Sequence, residues 1–199
     1  HSDLRRQRQM CIRDRVAVAD GETISIGDFR CEFLPVTHST PKGLISAIRT
    51  PQGLILHSSD FKLDNNPVDG RVTDLDRIAA LSKDPGIRLL LCDSTNAELS
   101  GSSISESEVG DGLEEIFMKF QHERIIATCF SSHIHRIQQI IDISKEQGRK
   151  VATLGFSMER NISLARSLGV ISVSEDDLVD ISEIETCLLY TSPSPRDRS

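Results

Sequence analysis

The hydrophobic pattern of the first half of the chain predicts a series of short strands. Apolar segments of three to eight residues are separated by turn residues such as Asp20-Gly21, Gly27-Asp28 and Pro51-Gln52-Gly53. These apolar segments lie at residues 16–18, 23–26, 29–36, 44–48 and 54–56. Connections this short join antiparallel neighbours, so the pattern predicts the antiparallel layer of a mixed sheet.

Further along the chain the pattern changes to an alternation of helices and strands. Thr73 is predicted to cap a helix of about ten residues, and Ile87–Cys92 is predicted to be a buried strand. A second helix is predicted to begin with a capping box formed by Ser105 and Glu108. Strands are then predicted at 124–130, 151–154 and 170–173, with helices at 133–147 and 158–168. Such alternation is typical of a parallel α/β layer.

Three polar residues lie just past the ends of predicted strands and are candidates for chemistry. His38 and Asp60 are expected at the same sheet edge, because their strands are joined as an antiparallel pair. An imidazole and a carboxylate together suit a divalent metal; the alternative is a capping Asp and a surface His. Asp93 follows the strand at 87–92 and either takes part in the same site or caps its own turn. His57 is expected to point away from Asp60, as a supporting or purely structural histidine.

A second candidate site opens the helix predicted at 133–147. The free N–H groups and positive dipole of a helix start, together with an arginine, favour phosphate. The residues that form this turn are Ser131, Ser132, His133, His135 and Arg136. The alternative is a serine N-cap with a solvated His and Arg. The turn at Gly155-Phe156-Ser157, followed by Arg160 and Asn161, allows the same two interpretations more weakly.

Several long strings carry a family resemblance. They are THSTP, HSSDFKLDNNPVDGRVTDL, LLCDSTNAELSG and IIATCFSSHIHRIQQIIDISKEQGRKVATLGFSMERNISLARSLG. They resemble ribonuclease J, a β-CASP nuclease of the metallo-β-lactamase fold, and look most like its actinobacterial form. The resemblance implies an α/β fold: a partial metallo-β-lactamase αββα sandwich at 16–102, followed by the first part of a parallel α/β β-CASP domain at 103–186. Residues 1–15 and 187–199 are basic or aperiodic and are predicted to be non-native tails.

The resemblance also implies a reaction. His38 and Asp60 would be metal ligands, with Asp60 bridging two zinc ions that hold a hydroxide and clamp the scissile phosphate. Asp60 and Asp93 would be catalytic, with Asp93 completing the network near the metals or orienting a downstream histidine. The implied activity is 5′-to-3′ exonuclease and endonuclease action on RNA, in RNA processing (including rRNA) and decay, by a cytoplasmic homo-oligomer with no membrane contact.

The sequence also departs from the family. It contains no HxHxDH metal motif and no later β-CASP histidines, so it is expected to be an internal fragment that binds metal weakly and is inactive alone. Lys42 stands where the family usually has an acid, and Ser59 stands where glycine is usual.

Composition limits the choice of function. The 199 residues carry 23 Lys and Arg against 30 Asp and Glu, a net charge of −7, which argues against a general polyanion-binding surface. The five cysteines show no CxxC spacing and are expected to be reduced thiols. Two alternatives stay open: another metallo-β-lactamase-fold hydrolase acting on a thioester or lactam, and a non-catalytic module that binds a phosphorylated ligand through the turn at 131–136.

Overall fold

The computed structural model of this chain describes residues 16–185, so both predicted tails lie outside the described residues. Within this range the strands are β1 (Thr23–Ile26), β2 (Phe29–Pro35), β3 (Leu44–Thr50), β4 (Gly53–His57), β5 (Ile87–Leu91), β6 (Val151–Ala152) and β7 (Leu178–Val179). The α-helices described there are α1 (Leu75–Lys83), α2 (Glu106–Lys119), α3 (Ile134–Glu146) and α4 (Phe156–Ser167). Two 3₁₀ helices cover Glu175–Asp177 and Ile181–Glu185. The mixed α/β class predicted from the sequence is confirmed.

The chain forms two compact units, and each is built from several stretches that are not consecutive in the sequence. The first unit comprises the chain up to Pro35 together with Leu44–Ser59 and Asp74–Asp93. The second comprises Val36–Gly43, Asp60–Thr73 and the chain from Ser94 onward. The predicted domain limits at 16–102 and 103–186 stay a prediction.

The first unit contains a five-stranded sheet in the order β1-β2-β3-β4-β5. Strands β1 to β4 are antiparallel, as the turn-separated pattern predicts, and β5 pairs parallel with β4. One face is apolar because buried residues alternate along β3 and β4 and pair with Leu34 of β2. The buried residues on this face are Leu34, Ile45, Ala47, Leu54 and Leu56. Residues 16–18 do not form the predicted strand.

The last strand, β5, differs from its prediction in burial. Leu89, Leu90 and Leu91 are 47%, 54% and 47% exposed, so the prediction of a buried strand is wrong although the strand itself forms. The reason is its position at the end of the sheet order, where only β4 pairs with it among the described residues. An apolar run alone does not distinguish a central strand from an edge strand.

The second unit is built on helices. A cluster of buried apolar residues joins α3 to α4 and to the segment after α4; its members are Ile134, Ile137, Ile141, Ile162, Ala165, Ile171 and Val173. Among the described residues of this unit, the predicted parallel pairing appears only between the two-residue strands β6 and β7. The strands predicted at 124–130 and 170–173 do not form. Ile126 and Phe130 are 85% and 83% exposed, so the first of these apolar segments lacks the cover that a central strand needs.

The predicted helix starts lie within a few residues of the observed ones; the predicted cap Ser105 is confirmed and the predicted cap Thr73 is wrong. Asp74, rather than Thr73, caps α1 by accepting from the backbone N–H of Arg77 at 2.9 Å. Ser105 caps α2 by accepting from the N–H of Ser107. No helix among residues 16–185 is long and apolar enough to cross a membrane.

Candidate functional site

The ends of β4 and β5 in the first unit are joined by a buried serine. The backbone N–H of Ser58 donates to the carbonyl of Leu91 at 2.9 Å, which extends the parallel ladder. The hydroxyl of Ser58 accepts from the N–H of Asp93 at 2.9 Å and donates to the carbonyl of Ser59 at 2.7 Å. Ser58 therefore fixes the backbone of Asp93 at the carboxyl edge of the sheet, where α/β folds place functional groups. Sequence reasoning placed Asp93 there and overlooked Ser58.

Ser59, which directly precedes Asp60, has a left-handed backbone with φ of +57°. An L-residue with a Cβ adopts this region at a cost, whereas glycine does not. The position thus gives a physical reason for the glycine that the family usually has there. Lys42, the other departure noted in the sequence, has φ of +58° and is under the same constraint.

The segments that carry His38 and Asp60 lie side by side in the second unit. The backbone N–H of Lys62, two residues after Asp60, donates at 2.8 Å to the carbonyl of Thr37, the residue before His38. The Nδ1 atom of His38 lies 3.5 Å from the hydroxyl of Ser39. His38 is half-buried and Asp60 is exposed, so both side chains are available to a ligand.

The loop that holds His38 is closed by an arginine that the sequence did not single out. The guanidinium of Arg71 donates to the carbonyl of Val36 at 3.0 Å and to that of Gly43 at 2.7 Å. The hydroxyl of Thr37 donates to the carbonyl of Arg71, and its N–H donates to the hydroxyl of Thr73. The Arg71 side chain therefore holds both ends of residues 36–43, and the segment 71–73 holds Thr37 within them.

His38 and Asp60 offer suitable donor types but do not make a metal site by themselves. Structural or catalytic zinc takes at least three protein ligands. Within residues 16–185 no three His, Cys, Asp or Glu side chains gather closely enough to hold an ion. The described residues therefore do not fit zinc without further ligands, and the metal assignments of His38 and Asp60 stay predictions.

Four residues after Asp60, a buried carboxylate is tied to the start of α2. The Asp64 carboxylate accepts from the hydroxyl of Ser105 at 2.8 Å and from the N–H groups of Glu106 and Asn66 at 2.9 and 3.0 Å. Burial opposes its ionisation, but the backbone N–H groups, the serine and the ammonium of Lys62 outweigh it and lower the pKa of Asp64 below its usual value. The first turn of a helix also favours an anion at this place.

Glu106, the first residue of α2, is a buried acid in contact with three basic side chains. It forms a two-point pair with Arg136, in which Nε and Nη2 donate to its two oxygens, the Nη2 contact at 2.8 Å. The Nε2 atom of His133 lies 3.4 Å away and the Nζ atom of Lys62 lies 3.9 Å away. Burial raises the pKa of Glu106, but the bonds from His133 and Arg136 more than offset it and lower the pKa to about 2. Glu106 is therefore ionised at neutral pH.

The predicted phosphate-binding turn is placed at the start of α3, with its basic groups already engaged. His133 caps the helix, its Nδ1 accepting from the N–H of Arg136 at 3.3 Å. The Nε2 atom of His135 lies 3.5 Å from a carboxylate oxygen of Asp69. Burial lowers the pKa of His135 against the opposing effect of Asp69, which favours its neutral form. The interpretation of a serine N-cap with a solvated His and Arg is thus wrong, because His133 is the cap and Arg136 is paired.

The two serines of this turn have different surroundings. Ser131 accepts from the side-chain amide of Asn161, at its carbonyl (2.9 Å) and at its hydroxyl (3.2 Å), whereas Ser132 is exposed.

The sequence did not predict four residues of this region: Asp64, Glu106, Lys62 and Arg71. Glu106 lies in an acidic run with the exposed Glu108, and nothing in the run shows which acid is buried.

Comparison with known proteins identifies the class. Residues 122–189 match the family model for "Ribonuclease J, beta-CASP domain". A solved structure, a protein of unknown function from Enterococcus faecalis V583, shares the fold with a TM-score of 0.58 and 15% identity; the match covers 86% of this chain and 42% of that one. Residues 122–189 are therefore similar in sequence to a β-CASP domain.

Curated relatives make the relationship more specific. Ribonuclease J of Mycobacterium tuberculosis strain H37Rv is 47% identical over 171 residues, which is 86% of this chain and 30% of the relative. Ribonuclease J of Helicobacter pylori strain J99 is 40% identical over 161 residues, 81% of this chain and 23% of the relative. The resemblance to ribonuclease J is confirmed, and the chain spans about a third or less of the length of these relatives.

Proposed function

We propose that this chain is part of a zinc-dependent ribonuclease J-like hydrolase that cleaves RNA by 5′-to-3′ exonuclease and endonuclease action. The observation that carries the proposal is the 47% identity over 171 residues to a protein named ribonuclease J. The setting we propose is RNA processing and decay by a cytoplasmic homo-oligomer. The β-CASP match at residues 122–189 favours RNA over a thioester or lactam as substrate.

In this proposal His38 and Asp60 are zinc ligands, and Asp93 is catalytic. The support is the Thr37–Lys62 backbone bond, which sets the His38 loop against the Asp60 segment. A complete site for two zinc ions needs donors beyond the described residues. We therefore expect the 199-residue chain alone to bind zinc weakly and to leave RNA intact; tight zinc binding by this chain in calorimetry would contradict that expectation.

The turn at Ser131, Ser132, His133, His135 and Arg136 is proposed to contact RNA phosphate. Its support is the position at the start of α3, where the positive end of the helix dipole favours an anion. The N–H groups of His133, Ile134 and Arg136 already donate to the Phe130 carbonyl, the Ser132 carbonyl and the His133 ring, so side chains would make most of the contact. The pairing of Arg136 with Glu106 uses Nε and Nη2, so a phosphate contact from Arg136 would come from Nη1. His135, neutral at physiological pH, would donate a hydrogen bond without adding a charge.

The test uses the complete reading frame that contains this chain, expressed with zinc and assayed on 5′-monophosphorylated RNA. We expect hydrolysis, and a loss of about 100-fold or more in kcat in Asp60→Asn and His38→Ala. Asp76→Asn, which changes an exposed carboxylate on α1, is the matched control and should retain full activity. No hydrolysis by the wild type, or full activity in Asp60→Asn, would refute the proposal.

A further inference from the structure

Two buried carboxylates, Asp64 and Glu106, connect the segments that carry the two parts of the proposed site. We call them the carboxylate pair. Both are 6% exposed, and both are held ionised by the hydrogen bonds described above. Ionised acids this deeply buried are uncommon unless partners compensate them, and here the partners come from three separate stretches of the chain.

Asp64 secures the Asp60 segment, residues 60–66. Its carboxylate accepts from the N–H of Asn66 within the segment and from Ser105 and Glu106 outside it. The single proton of the Ser105 hydroxyl is shared between Asp64 and the carbonyl of Asn66, which lies 2.9 Å away, and the hydroxyl of Ser107 donates to the same carbonyl at 2.6 Å. The segment is therefore attached to the start of α2 by several directional bonds, while Asp60 at its other end is exposed.

Glu106 secures the first turn of α3. Its two oxygens fix the plane of the Arg136 guanidinium, which a single point charge could not do. The contact with His133 and the Nδ1 bond of that ring to the Arg136 N–H together define the orientation of the imidazole. A further bond from the side-chain amide of Gln139 to the Glu106 carbonyl, at 3.0 Å, ties α3 to the same residue.

We propose that Asp64 and Glu106 are positioning residues that act as one unit on the proposed ribonuclease site. Asp64 sets the Asp60 segment, Glu106 sets Arg136 and His133, and the two are linked because the N–H of Glu106 is itself a donor to Asp64. The pair neutralises Lys62 and Arg136, so its contribution is geometry rather than net charge. This inference rests on the proposed function for its kinetic readout, but not for its structural readout.

The experiment measures kinetics and amide hydrogen exchange on the complete zinc-loaded enzyme. We expect Asp64→Asn to lower kcat by about tenfold, because a small displacement of a reacting group is costly. We expect Glu106→Gln to raise KM for 5′-monophosphorylated RNA by about tenfold with a smaller change in kcat. The double variant should fall short of the product of the two effects, since residues in one network are not additive.

Hydrogen exchange separates a failure of this inference from a failure of the proposed function. Asp64→Asn should speed exchange in residues 60–66, and Glu106→Gln should speed it in residues 131–137, whether or not the protein cleaves RNA. Glu108→Gln, which removes an exposed acid from the same helix, should change neither. Kinetics and exchange indistinguishable from those of Glu108→Gln would overturn the inference.

Two milder variants keep the test decisive if the neutralised variants do not fold. Ser105→Ala removes one donor to Asp64 and should speed exchange in residues 60–66 to a smaller extent. Arg136→Lys keeps the charge but loses the two-point geometry, so it should raise KM nearly as much as Arg136→Ala. Unchanged exchange in Ser105→Ala, or full rescue by lysine, would each count against a positioning role.

Discussion

The five-stranded sheet of the first unit and the carboxylate pair of the second show two ways of fixing a functional residue. In the sheet, Asp93 is placed by a backbone ladder and one buried serine, above a face of alternating apolar side chains. In the second unit, the Asp60 segment and the start of α3 are placed by side-chain carboxylates that must stay charged. The position of Asp93 should not depend on pH, whereas the positions of the Asp60 segment and of the start of α3 should be lost in acid, when the carboxylates become protonated.

The largest effect is expected in the sheet. Leu34 on β2 is 1% exposed, so Leu34→Ala removes buried methyl groups and leaves a cavity. We expect a loss of about 3 kcal/mol in the free energy of unfolding, measured by urea titration, with the same value at pH 7 and pH 4. Leu89→Ala on the exposed strand β5 is the matched control and should cost less than about 1 kcal/mol. Equal losses at the two positions would show that β5 is covered.

The second effect tests the charged region through pH. Since the pKa of Glu106 is lowered to about 2 in the folded chain from an ordinary 4.5, its stabilising contribution is present above pH 4.5 and is lost as the pH falls toward 2. We expect that contribution to be on the order of 3 kcal/mol. The measurement is the unfolding free energy of wild type and Glu106→Gln between pH 7 and pH 2.5.

The gap between these two proteins should narrow steadily below pH 4.5. Glu108→Gln, on the exposed face of the same helix, should follow the wild type at every pH. A gap that stays constant through the acid range would mean that Glu106 contributes through packing rather than charge.

Ser58→Ala is expected to have the third largest effect. Removing the hydroxyl takes one hydrogen-bond partner from the N–H of Asp93 and one from the carbonyl of Ser59, in a partly buried place. We expect a cost of about 1 to 2 kcal/mol, together with faster hydrogen exchange at the Asp93 amide. Ser25→Ala, on the exposed strand β1, controls for the loss of a serine in a strand and should change neither quantity.

The same contrast explains what the sequence could predict. The strands of the sheet follow from alternation and turn residues, because a half-buried strand imposes a period of two on its own residues. His38, Asp60 and Asp93 were found because they follow strand ends. Burial of β5 was predicted wrongly because edge and central strands share the same apolar composition.

The carboxylate pair left no comparable signal in the sequence. Asp64 and Glu106 are 42 residues apart, and each lies among other polar residues. Their burial depends on donors from α2 and α3, which only the tertiary structure brings together. The position of Arg136 at a helix start marks it as a candidate, but the sequence does not identify Glu106 as its partner. Long-range ionic networks of this kind are invisible to periodicity.

The smallest effect is expected at Ser59, next to the proposed metal ligand Asp60, where the sign of the change in the free energy of unfolding is the informative result. Ser59→Gly removes the Cβ that is unfavourable at φ +57° but adds conformational freedom to the unfolded chain. The first term is about 1 to 2 kcal/mol and the second about 0.5 to 1 kcal/mol, so we expect a net stabilisation of less than about 1 kcal/mol. Ser39→Gly, at a position outside the left-handed region, gains no relief of strain and also loses the contact of its hydroxyl with His38 Nδ1, so it should destabilise. Thermal unfolding of both variants decides the matter, because a destabilised Ser59→Gly would mean that the serine side chain contributes a contact that outweighs its backbone strain.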